Sequence, residues 1–82
     1  ELSDAEDRRL RDQATRQIGD AEQALRGVRT DTLQPGERET FGSIQSFLQQ
    51  ARQAIADRDY ERATTLARKA RALAQDLPQT PR

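Results

Sequence analysis

Apolar residues return at alternating steps of three and four in three successive blocks of this chain, and that rhythm is what a helix needs to present one apolar stripe. The first block is Ala14, Ile18, Ala21, Leu25 and Val28. The second is Phe41, Ile44, Leu48, Ala51 and Ile55, widened by Phe47 and Ala54. The third is Tyr60, Ala63, Ala67, Ala70, Ala74 and Leu77, with Leu66 and Leu73 alongside. A surface helix buries such a stripe against its neighbours and leaves the rest of its circumference to water.

Local signals between the blocks agree with that division. Ser3-Asp4-Ala5-Glu6 has capping-box spacing, in which the Ser hydroxyl and the Glu carboxylate each satisfy an orphaned amide. Gly27 is a candidate terminator for the first helix. Thr30 to Gln34 reads as a connection, and Pro35 suits the first turn of a second helix, where its missing amide hydrogen has no partner to lose. Glu37 and Glu39 then lie near the positive end of the helix dipole. Asp59 is a candidate N-cap for the third helix, and Pro78 stops it. The expected helices are 4–28, 35–56 and 60–77, followed by a mobile tail at 78–82. Short connections make consecutive helices antiparallel, so the expected fold is all-α, an antiparallel up-down-up three-helix bundle forming one domain over residues 1–77. The alanines of the third helix allow close approach to the Phe41 and Phe47 side of the second.

A chain of 82 residues has room for a core but not for a deep cleft. With 33% apolar and 34% charged residues, such a chain is either a slim helical bundle or disordered, and the stripes decide for the bundle. Lys and Arg total 14 and Asp and Glu total 14, so no net field gathers polyanions around the whole molecule. Residues 1–31 carry eight acids and six bases, residues 60–82 two acids and five bases, which makes the bundle dipolar. Thirteen of the fourteen bases are Arg, Lys69 being the exception, a bias that fits a GC-rich genome.

Cys and His are both absent. That removes disulfides, thiolate metal sites, cysteine nucleophiles, the commonest general base and most transition-metal ligand sets. No apolar run approaches the ~18 residues of a membrane span. The chain opens at Glu1 and contains no Met, so release from a longer precursor that carried any targeting signal is expected.

Candidate chemistry is sparse. Asp57-x-Asp59-x-Glu61 imitates the opening of a calcium loop, but Arg62 and Arg68 stand where the turn Gly and the bidentate acid belong, so a capped turn is the better reading. Arg62, Arg68, Lys69 and Arg71 form the most basic stretch, spread over an exposed face with no aromatic residue interleaved in sequence, which suits a solvated face better than nucleic acid, lipid headgroups or an acidic protein surface. Ser43, Ser46, Thr64 and Thr65 have no His to activate them. Glu37 and Glu39, two residues apart, point to different sides of a helix. Gly36-Glu37 lacks the further glycines and the Lys of a phosphate loop. Phe41 and Phe47 are expected in the core, and Tyr60 is expected to pack its ring while its hydroxyl reaches water. No catalytic, cofactor-binding or metal-ligating residue is assigned.

The first helix, at about 25 residues and ~38 Å, outruns the third, at about 18 residues and ~27 Å. Its first two or three turns are therefore expected to overhang, with Asp7 and Arg11 standing where the stripe extended back from Ala14 wants apolar groups. Either this start is simply solvated or it is a shaft leading to an upstream region or another subunit.

Two resemblances bear on function. Asp59-Tyr60-Glu61-Arg62-Ala63 followed by Ala67 and Ala70 resembles the turn and second helix of a tetratricopeptide-type repeat, with Phe47 and Ala51 at matching positions of the preceding helix and Arg58 in place of the usual turn glycine. Leu33-Gln34-Pro35-Gly36-Glu37 together with Asp59-Tyr60-Glu61-Arg62-Ala63 resembles uncharacterised helical domains of bacterial envelope lipoproteins, over most of residues 14–77. This second likeness implies a periplasm-facing or outer-membrane-tethered domain without enzymatic activity, its lipid anchor supplied by a missing N-terminal Cys. The expectation is a non-catalytic structural or protein-interaction domain that binds a protein partner or itself and takes no cofactor or small-molecule substrate. The alternatives are a self-associating helical module and, less favoured, a basic-surface binder of nucleic acid or lipid headgroups.

Overall fold

The structure is a computed structural model and describes residues 3–80. Three helices, α1 (Asp4–Arg26), α2 (Pro35–Ala56) and α3 (Tyr60–Gln75), form an antiparallel up-down-up bundle, with a 3₁₀ turn at Thr30–Thr32 between the first two. The bundle is flattened, with Cα extents of 47 × 24 × 14 Å. Its short helix α3 packs against both neighbours along its length, whereas α1 and α2 meet over less.

The caps explain the helix boundaries. Ser3 Oγ accepts from the Glu6 amide at 3.2 Å, the first half of the expected capping box. Glu37 Oε1 accepts from the Gln34 amide at 2.8 Å, so Glu37 caps α2 directly as well as facing its dipole. Asp59 Oδ1 accepts from the Arg62 amide at 3.2 Å, the N-cap that its position suggested. The α2 helix ends in a Schellman motif: the Asp59 amide donates to Ala54 O at 2.7 Å and the Arg58 amide to Ile55 O at 2.9 Å. That motif places Arg58 at φ 60°, a left-handed conformation that glycine usually supplies.

Alanine fills the centre. Ala67, Ala70 and Ala74 of α3 are fully buried, facing Ile18 and Ala21 of α1 and Ile44, Leu48 and Ala51 of α2. Because a methyl group is all that α3 puts between the backbones, its two neighbours come close and little interior volume is left for rings. Phe41 and Phe47 were expected inside; both are half-buried, packed on the rim of this core. Leu33, in the connection, is buried although it belongs to no stripe.

At one end of the bundle a smaller cluster of Ala14, Ala54, Tyr60 and Ala63 takes in Leu10. The expected overhang of two or three turns is thereby shortened. Leu10 packs, Asp7 is half-buried, and ahead of Asp7 the described residues 3–6 are exposed. Glu1 and Leu2 lie outside the described residues.

The other end carries the main departures from the expected boundaries. The α1 and α3 helices stop two residues earlier than the stripes suggest, at Arg26 and Gln75, because Val28 and Leu77 are buried from non-helical backbone. The segment 78–80, expected to be a mobile tail, is tied down. Arg29 donates its amide to Pro78 O at 2.8 Å, Thr80 donates to Gly27 O at 2.6 Å, and Val28 and Gln79 pair antiparallel. Residues 81 and 82 lie outside the described residues. Gly27 does terminate α1, but with φ −80° it uses no left-handed freedom. What its missing side chain permits is close approach, since a Cβ there would lie 2.9 Å from Gln79 Oε1.

Candidate functional site

The charged and hydroxyl-bearing residues that drew attention in the sequence are scattered and locally engaged. Asp59 caps α3, Asp57 Oδ1 accepts from Gln53 Nε2 at 3.3 Å, and Glu61 offers its backbone carbonyl to Thr65 Oγ1 at 3.1 Å. These three acids do not converge, and no group of three or more carboxylates among the described residues is placed to hold a metal ion. Ser46 Oγ accepts from Gln50 Nε2 at 3.2 Å. Glu37 is committed to its cap, whereas Glu39 is exposed. Among the described residues the buried side chains are apolar apart from Tyr60, so no carboxylate or basic group is held in a low-dielectric site.

Two grooves run between helices. The one between α1 and α2, of about 410 Å³, is lined by Leu25, Leu48, Gln45 and Gln49 and bridged by an ion pair between Arg52 and Glu22. The one between α1 and α3, of about 720 Å³, is lined by Asp20, Gln23, Arg71 and Gln75 and floored at one end by the tied-down Gln79. Both are open to solvent, and neither converges polar groups on a point. No helix among the described residues is long and apolar enough to cross a membrane.

The feature that the periodicity did not expose is the remaining face, shared by α2 and α3 and turned away from α1. Lys69 Nζ lies 6.0 Å from the centroid of the Phe47 ring, a cation–π distance. On α3, Leu66 and Leu73 stand three residues before and four after Lys69, hence on the same side. Both are half-buried, as Phe47 is. The basic stretch that has no aromatic neighbour in sequence therefore has one in space. Arg62, Arg68, Lys69 and Arg71 are all exposed, as the sequence suggests, and none is in an ion pair among the described residues.

Comparison with protein-family models, with curated proteins and with solved structures finds no match for this chain.

Proposed function

We propose that this is a non-catalytic helical domain that acts by engaging another protein and is carried by a cell-envelope lipoprotein. The observation that supports the interaction role is the placement of its phenylalanines. The chain has two, its largest purely apolar side chains, and both lie half-buried on the surface of α2 while alanines occupy the centre. A protein that gained only stability from Phe would bury it; a partly exposed aromatic beside aliphatic neighbours is what interfaces use as an anchor. The envelope part of the reading is supported by the resemblance carried by Leu33 to Glu37 and Asp59 to Ala63, and it makes the domain periplasmic or outer-membrane-tethered through a lipid on an upstream Cys.

In-cell photocrosslinking tests the interaction role, with a benzophenone-bearing phenylalanine analogue placed at position 41 or 47 of the full-length protein. A discrete adduct with a different protein is the expected result; the absence of an adduct at both positions overturns it. Fractionation of the same cells checks the location, and recovery of the full-length protein in the cytosol without lipid modification removes the envelope part.

Self-association is the second reading. Phe41 and Ile55, at opposite ends of the α2 stripe, are only half-buried within one chain. Sedimentation velocity across a concentration series separates the two, since a single monomeric species throughout excludes it.

A further inference from the structure

We infer that the face shared by α2 and α3 docks an acidic amphipathic helix of a partner protein; this rests on the interaction role proposed above and adds the surface and the partner's chemistry. The first observation is the segregation of charge beneath the neutral total. Between Thr40 and Ala56 the chain has no Asp or Glu, and between Arg62 and Gln75 it has none either, yet these two stretches carry Arg52, Arg62, Arg68, Lys69 and Arg71. Arg52 is paired with Glu22 of α1 on the opposite side of α2. The four bases of α3 are unpaired among the described residues and exposed. The α2–α3 hairpin is thus cationic along its middle, and the acids sit on α1 and at the helix ends.

The second observation is the apolar line inside that cationic field. Leu66 and Leu73 are one heptad apart, a rise of ~10.5 Å along α3. Phe47 flanks them from α2, with Lys69 over its ring. Neither groove of α1 reaches this line: α1 meets α2 beside Gln45 and Arg52, and meets α3 beside Arg71 and Gln75. A ridge with helical repeat, edged by Arg62 and Lys69, complements a helix that carries apolar residues on one face and carboxylates beside them. Aliphatic leucines at its centre do not stack on bases, which disfavours single-stranded nucleic acid as the occupant. The molecule's zero net charge gives little long-range attraction to an anionic bilayer.

The test uses two synthetic amphipathic peptides of about four turns, with leucines on one face flanked by glutamates in the first and by lysines in the second. Each is titrated into the isotope-labelled domain and followed by amide chemical shifts. The glutamate peptide is expected to bind at least about tenfold more tightly than the lysine peptide, to shift amides around Phe47, Leu66, Lys69 and Leu73, and to weaken as salt rises. The exposed double variant Arg62→Glu/Lys69→Glu, checked for unchanged helicity, should lose that preference. Equal affinity for both peptides, no binding of either, or shifts centred on α1 overturns the inference. So does binding confined to phosphatidylglycerol vesicles, which assigns the face to a membrane, or a dimer whose shifts fall on the same residues, which assigns it to a second copy. A heterologous crosslink from position 41 combined with failure of both peptides leaves the interaction role standing and removes this face from it.

Discussion

Arg58 Nη2 lies 3.0 Å from Asp7 Oδ1, tying the turn between α2 and α3 to the early turns of α1. The contact explains two residues that look misplaced when each is read alone. Asp7 stands where the α1 stripe asks for an apolar group, and Arg58 holds a left-handed backbone position that favours glycine. From that position the guanidinium reaches Asp7, whose hydrogen bond and charge, with a lesser contribution from the Tyr60 hydroxyl, strengthen its hold on its proton. A raised pKa on a base adds stability that persists until the pH climbs through the ordinary arginine range, so loss of the arginine's proton does not open the pair short of strong alkali.

Substitution at Arg58 separates the backbone cost from the ion pair. Arg58→Ala keeps a side chain in the left-handed region and loses Asp7, so its thermal midpoint falls below the parent's. Arg58→Gly also loses Asp7 but removes the backbone penalty. Its midpoint is expected to lie above that of Arg58→Ala, as read by the helical circular dichroism signal. Identical midpoints for the two variants would show that the φ of 60° costs nothing here.

Gly27 and Gln79 are coupled through space. Gln79 Nε2 donates to Ala74 O at 2.6 Å and to Leu77 O at 3.0 Å, closing the end of α3 over Gly27. A methyl group at position 27 meets Gln79 Oε1 at 2.9 Å, and the amide must swing away. Gly27→Ala gains ~0.4–1 kcal/mol by restricting the unfolded chain and loses about as much in those hydrogen bonds, so global stability changes little. Amide exchange at Arg29 and Thr80 should rise in the variant, because their acceptors are Pro78 and Gly27. In a Gln79→Ala background the same change becomes stabilising, and additivity of the two substitutions would refute the coupling.

Ile44 is the largest fully buried side chain among the described residues. Ile44→Ala is expected to cost about 2–5 kcal/mol, and Ile44→Asp or Leu48→Asp to unfold the domain by burying a charge without a partner. Chemical denaturation of the first and the far-ultraviolet spectra of the others measure this. Retained helicity with an unchanged melting temperature in the Asp variants would mean that the α2 stripe is not where the fold is held.

How much of this was legible in the chain follows from range. The stripes, Pro35, Asp59 and the bundle topology are local or periodic, so each is visible within a window of a few turns. The Asp7–Arg58 pair and the Val28–Gln79 pairing join residues far apart in sequence, and neither Asp7 nor Gln79 carries a local sign of its partner. Leu33 was invisible for another reason: a lone apolar residue in a connection has no period. The rim position of Phe47 depends on how closely alanines let α3 approach, a distance that hydrophobicity does not encode. The acid-free middle of the hairpin was present in the sequence, but over residues 32–59 the flanking Glu37, Glu39, Asp57 and Asp59 hide its α2 half when charge is summed by segment.

The close approach of α3 makes a final prediction that tests the packing rather than the stripe. Ala67 and Ala70 are fully buried between two helices, whereas Ala72, on the same helix, is exposed. Leucine is at least as compatible with the interior of an exposed helix face as most residues, so Ala72→Leu should shift stability by no more than about 0.5 kcal/mol. The same substitution at position 67 or 70 forces three extra carbons per site into a gap sized for a methyl group. It must push α1 or α2 outward, at a cost of about 1–3 kcal/mol. Because α3 touches both neighbours, the displacement should also loosen the other interface, and amide protection in α1 and α2 should fall together. Urea titration of the three variants decides the matter: equal midpoints for Ala70→Leu and Ala72→Leu would mean that the helices stand far enough apart to admit larger side chains, and that the phenylalanines are on the rim for some reason other than lack of room.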